Sequence, residues 1–300
     1  PNGWIELQKS SANPSISDGN GNYTLEGAKY GIYKGDKLIQ TLTTDKNGYA
    51  KSKELEEGSY TVKEISAPAG FIVDATAHDV NVKPEETSTV KSSDIPQNNP
   101  ISLILQKLDL ETGEGKPQGN SSLANAEFTI KFYTELSDTD PAASGKKPVR
   151  TWVMKTNASG EMHFTKDYFV SGDEFYYASD KKTVCLPIGT VTIQENKAPK
   201  NYFLNETVFV QKITGSGSQE SVSIYNASNV EEQVYRGGVK VQKRDLETQD
   251  TVSQGNATLA GATFSITTLN EQPVWVNGKL YQKDEMCLTI ITDENGLAST

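Results

Sequence analysis

The 300-residue sequence contains only two cysteines, Cys185 and Cys287. They fall in different repeats at positions that do not correspond. Two inert, unpaired thiols are therefore expected, and no disulfide staples the fold. No stretch is long and apolar enough to span a membrane. No signal peptide is expected, because the N-terminus reads straight into a strand. A basic surplus is also missing, since the formal net charge is −10. That excludes a nucleic-acid partner, which needs a basic face, and it argues equally against contact with an anionic membrane. The two histidines, His78 and His163, stand apart from cysteines and paired carboxylates, so no metal is expected. No Ser-His-Asp set or phosphate-binding glycine loop appears, and no cofactor is implied. Helical periodicity is absent over any useful window.

What is present is internal repetition. Three segments open alike: Ile5-Glu-Leu-Gln-Lys9, Leu103-Ile-Leu-Gln-Lys107 and Val239-Lys-Val-Gln-Lys243. A second hydrophobic segment follows each, beginning at Leu25, Leu123 and Leu259, always sixteen residues after the lysine. Each repeat then carries a turn: Thr44-Asp-Lys-Asn-Gly48, Thr156-Asn-Ala-Ser-Gly160 and Thr292-Asp-Glu-Asn-Gly296. Short alternating segments punctuated by such turns predict β-sandwiches. The expected organisation is an all-β row of tandem Ig-like or prealbumin-like sandwiches. Domain 1 covers residues 1–97, domain 2 covers 98–232 with polar insertions, and 233–300 is the N-terminal part of a third. The linkers are short, so neighbouring domains are expected to be only modestly mobile.

Alternate residues of a strand share a face. Ile5 and Leu7 therefore share theirs with Lys9, and Leu103 and Leu105 with Lys107. By the same rule Tyr60 and Val62 carry Glu64, while Val191 and Ile193 carry Glu195. On the closing segments Val90 is in phase with Asp94, and Val222 and Ile224 with Asn226. Two sets of Lys, Glu and Asp or Asn are thus expected on core-facing positions. Buried charge is costly unless paired or neutralised. Burial should lower a lysine pKa and raise that of a glutamic acid. A neutral amine can attack a side-chain carbonyl that the acid polarises. The product is a neutral isopeptide bond, with water lost from Asp or ammonia from Asn.

These features resemble the Cna B-type, or SpaA-type, domains of Gram-positive surface adhesins and pilins. Tyr60-Thr-Val-Lys-Glu-Ile-Ser-Ala-Pro-Ala-Gly-Phe71 is similar to the family's E-box, and Gln194-Glu-Asn-Lys-Ala-Pro-Lys-Asn-Tyr202 is a looser copy with Asn201 in place of glycine. The resemblance implies cross-links Lys9–Asp94 and Lys107–Asn226, with Glu64 and Glu195 as catalysts. Lys243 has no partner within this sequence. It further implies a stalk or shaft module on the bacterial cell wall, extracellular, monomeric in solution and not an enzyme beyond one self-directed turnover. Other surface-protein subunits are possible partners. The alternative is an adhesin module that binds a host or matrix protein through the domain 2 insertions, where Tyr168, Phe169, Phe175, Tyr176 and Tyr177 cluster.

Overall fold

The computed structural model describes all residues, 1–300. In repeat one the opening strand Asn2–Ser11 is the centre of a sheet. It pairs antiparallel with Tyr49–Lys51 and Leu55–Glu56, and in parallel with the closing strand Thr87–Asp94. The facing sheet runs Lys37–Thr43, Lys29–Lys34, Gly58–Ser66, His78–Val82. Ile5, Leu7, Tyr30, Ile32, Val62 and Val90 fill the space between. Their alternation with exposed neighbours is the period-two pattern of strands buried on one face.

Repeat two copies this plan. Leu103–Asp109 lies between Glu161–His163 and the parallel closing strand Ser228–Glu232. The facing sheet has five strands: Phe169–Gly172, Arg150–Lys155, Glu127–Tyr133, Gly189–Lys197 and Val208–Ile213. A third, small sheet joins Tyr176–Tyr177, Val184–Pro187 and Asn98–Pro100. The insertions therefore thicken the core. Phe175 and Tyr176 are buried beside Trp152 and Phe164, and Tyr168, Phe169 and Tyr177 pack partly buried against the same cluster. Repeat three forms three two-stranded ribbons, the first pairing Lys240–Gln242 with Leu297–Ser299. No facing glutamate strand or closing strand covers it, so Val239 and Lys243 are exposed, unlike their counterparts.

The repeated residues outside the strands tie the sandwich together identically three times. The Thr44, Thr156 and Thr292 hydroxyls donate to the carbonyls of Leu25, Leu123 and Leu259 at 2.5–2.6 Å. They accept from the amides of Ala28, Ala126 and Ala262 at 3.0–3.1 Å. The turn glycines bind the lysine strand directly: Lys9, Lys107 and Lys243 donate their amides to Gly48, Gly160 and Gly296 at 2.7–2.8 Å. Those glycines have φ of +74° to +76°, and a Cβ at any of them would press into the lysine carbonyl. Glycine is required on both counts.

The joint between repeats one and two is packed. Tyr23 donates to the Gln97 carbonyl at 2.6 Å and accepts from the Ile188 amide at 2.8 Å. Gln97 donates to the Ser216 and Gln219 carbonyls at 2.9 and 3.0 Å. Ile16, Tyr23 and Phe71 of repeat one belong to the same apolar cluster as the core of repeat two.

Gly160→Ala should cost about 3 kcal/mol or more, because the left-handed backbone penalty adds to a displaced carbonyl. Gly113→Ala, with φ +71° but open space around it, should cost only about 1–2 kcal/mol. Urea unfolding followed by fluorescence of the buried Trp152 measures both. Equal losses would refute the close-approach argument.

Candidate cross-linking sites

Parallel pairing brings the ends of the opening and closing strands together. In repeat one Lys9 sits opposite Ser92, and Ser11 opposite Asp94. Glu64 reaches the same point from the facing sheet, where it is paired with Tyr30. The Lys9 Nζ contacts Glu64 Oε1 at 3.0 Å and also Asp94 Oδ2, with all three side chains fully removed from solvent. The amine also donates to the Tyr30 hydroxyl at 2.9 Å, and that hydroxyl lies 2.8 Å from Ser92 Oγ. The second oxygen of Glu64 accepts the Asp74 amide at 2.6 Å. The three residues expected from the sequence are thus brought into one cluster.

The electrostatics differ in part from expectation. Burial pulls the Lys9 ammonium down, but hydrogen bonds from it to Asp94 and Tyr30 outweigh that, and its pKa ends above the ordinary lysine value. Burial pushes Asp94 up to about 7 against the pull of Lys9, with Glu64 adding to the rise. Near neutrality the Asp94 carboxyl is therefore substantially protonated. A neutral carboxylic acid is the form whose carbonyl an amine can attack.

In repeat two the structure brings Lys107 and Glu195 together but leaves Asn226 out. Lys107 Nζ contacts Glu195 Oε1 at 2.6 Å, and the other Glu195 oxygen accepts the Asn205 amide at 2.8 Å. The third member is Glu232, whose Oε1 contacts the amine, again with every side chain removed from solvent. Asn226 is exposed, precedes the closing strand, and donates to the Ile224 carbonyl at 3.3 Å. It lies four residues before Val230, the residue paired with Lys107, about 13 Å of extended chain away. The reason is the path of the chain. Between Ile213 and Ser228 it wanders irregularly, where repeat one needs only the short step from Val82 to Thr87. The closing-strand position beside the lysine is therefore reached later in the sequence, at Glu232. The alternation from Val222 continues in phase to Glu232, and that phase was the available signal.

The shells also differ. Phe128 and Val230 replace Tyr30 and Ser92 at the paired positions, so no hydroxyl steadies the ammonium. Burial pushes Lys107 down to about 8 against the attraction of Glu195, and burial raises Glu195 above the usual carboxylate range. The looser E-box copy is also explained: Asn201 has φ +64° where Gly70 has +85°, and asparagine tolerates that conformation. Lys243 has no acidic partner and is exposed.

Asp94 gives a pH signature in any unlinked chain. Its folded pKa exceeds the unfolded value, so the folded state holds more protons between about 4 and about 7. Stability should then fall as pH rises through that window. Lys9→Met, which cannot link and lacks the lysine's downward pull on Asp94, should show this fall in urea midpoints and carry it above about pH 7, and Lys9→Met/Asp94→Asn should lose most of it. A flat profile for the single variant would contradict the assignment.

The first two repeats match the family model described as SpaA, prealbumin-like fold domain, over residues 15–96 and 105–228. Over 70 residues the chain is 40% identical to the trypsin-resistant surface T6 protein of Streptococcus pyogenes serotype M6, covering 23% of this chain and 13% of that protein. Among solved structures, the Bacillus anthracis TIE protein is similar over 100% of this chain and 43% of that chain, with TM-score 0.61 and 22% identity. That likeness is one of fold, and the chain spans less than half the length of either relative. The family match covers well over half of the residues and is to structural domains rather than enzymes: the chain belongs to the family of SpaA-type prealbumin-like domains.

Proposed function

We propose that this chain is a load-bearing segment of a Gram-positive surface protein, a stalk or pilus shaft, whose first domain closes itself through an isopeptide bond between Lys9 and Asp94. The observation that carries the reading is the dry meeting of one amine and two carboxyls between the opening and closing strands. With the cluster in its net-neutral form, Nζ attacks Cγ of Asp94. Starting from the ammonium, the Glu64 carboxylate and the Asp94 acid, Glu64 takes one proton to free the attacking amine, gives it to the departing hydroxyl, and takes the second Nζ proton to end as the acid. The C–N bond forms, the C–O bond breaks, and water leaves. Glu64 is suited to this because the Asp74 amide fixes its other oxygen.

The family supports a surface pilin or adhesin role, and the streptococcal relative is by name a surface protein. An extracellular, cell-wall location and partners among other surface-protein subunits follow for this chain as part of the same proposal. The adhesin alternative rested on exposed aromatics in the domain 2 insertions, and those side chains are buried or half-buried in the core. By analogy with other covalent loop closures, the bond is worth roughly 4–5 kcal/mol through the unfolded state.

Intact mass tests the chemistry. The folded chain should be lighter than its sequence by one water for the Lys9–Asp94 bond, and Glu64→Ala should restore that water. Glu64→Ala should also be cut faster by trypsin. A full sequence mass at Lys9 and Asp94 in the unaltered chain would end the proposal.

A further inference from the structure

Resting on that reading, we infer that domain 2 is closed by a bond of a different kind, an amide between Lys107 Nζ and the γ-carboxyl-derived Cδ of Glu232. The cross-link acceptor is a glutamate, one methylene longer than Asp94.

The backbone assigns Glu232 to the place of Asp94 independently of the side chains. Each acceptor lies opposite the residue two after the lysine, Ser11 for Asp94 and Asp109 for Glu232. The backbone carbonyl of each accepts the amide three residues after the lysine, from Ala12 at 2.8 Å and from Leu110 at 2.9 Å. The residue after each acceptor takes the amide that follows the E-box aromatic, Ile72 to Ile95 at 3.1 Å and Phe203 to Gln233 at 2.9 Å. Two residues on, Pro96 bridges Phe71 and Val234 bridges Tyr202. Three residues on, Gln97 donates to the Gly70 carbonyl and Tyr235 to the Asn201 carbonyl, both at 2.8 Å. Asn226 has none of these relations.

The chemistry of the cluster agrees. Apart from the lysine, no donor reaches either oxygen of Glu232, although both are buried. An ionised carboxylate left so is costly, whereas an amide there is neutral. Phe128 lies 5.3 Å from the Lys107 amine, and Glu195 stands on the amine as Glu64 does on Lys9. The balance is that of a condensation. Nζ attacks Cδ of Glu232, Glu195 relays a proton to the departing hydroxyl, the C–N bond replaces a C–O bond, and one water leaves.

The test uses the full chain, digested after denaturation and examined by tandem mass spectrometry. A branched peptide joining the Lys107 and Glu232 segments, short by one water, is expected. Glu195→Ala and Glu232→Ala should each abolish it, while Asn226→Ala should leave it intact. Glu232→Gln should link with loss of ammonia, giving a chain of the same mass as the linked unaltered protein, since both routes yield one amide. If Glu232→Ala fails to fold, Glu232→Gln and Asn226→Ala still decide. A free Lys107 peptide beside a closed Lys9–Asp94 bond would overturn this inference alone. A Lys107–Asn226 branch with ammonia lost would overturn it in favour of the asparagine. If neither lysine is linked, the proposed function falls with it.

Discussion

Each complete repeat is organised around one buried lysine held against two buried carboxyls. An ammonium with two carboxylates leaves one negative charge uncompensated in a dry interior. Burial, with Glu64 adding to it, pushes Asp94 up to about 7 and so favours keeping a proton there. The rest of the architecture makes that meeting possible. The parallel pairing of first and last strands supplies two members, the facing sheet supplies the third, and the turn glycine clamps the lysine backbone from behind.

The two clusters reach the same geometry with different surroundings. Around Lys9, hydroxyls of Tyr30 and Ser92 stabilise the charged amine. Around Lys107 the corresponding positions are Phe128 and Val230, and the amine is easier to neutralise. What is held constant is the anchoring of the glutamate, whose far oxygen takes the Asp74 or Asn205 amide ten residues on. An orientation fixed by backbone is less exposed to substitution than one fixed by a side chain.

Much of this was legible in the sequence. The alternation Ile5, Leu7, Lys9 and Tyr60, Val62, Glu64 placed the charged residues on the inner face, and the structure buries all six. The repeat of Leu, Ala and Thr marked a hydrogen-bonded unit that recurs three times. The third buried residue beside Lys107 was not legible, because position along the sequence carries over between repeats only where the connecting loops are equally long. The irregular stretch before Ser228 breaks that condition, while the face on which Asn226 was placed is the one Glu232 occupies six residues later. The Asp74 and Asn205 anchors were also hidden, since a backbone amide leaves no mark in composition. The aromatics of the insertions misled for a related reason. They form short runs among polar residues in a segment that reads as a surface loop, but the small third sheet takes in Tyr176 and Tyr177, the five-stranded sheet takes in Phe169, and all five side chains pack against the core.

The parallel register of the outer strands has a consequence for length. The polypeptide enters a domain at one pole and leaves at the other, and the two lysine clusters lie at the exit ends of their strands. Between Lys9 and Asp94 run some 85 residues, enough to release about 290 Å of slack if the sandwich were pulled open. With those ends joined, none of that chain can be paid out. A row of such units would keep a fixed span under tension even while an individual sandwich melts, so reach would be set by the number of domains and not by their stability.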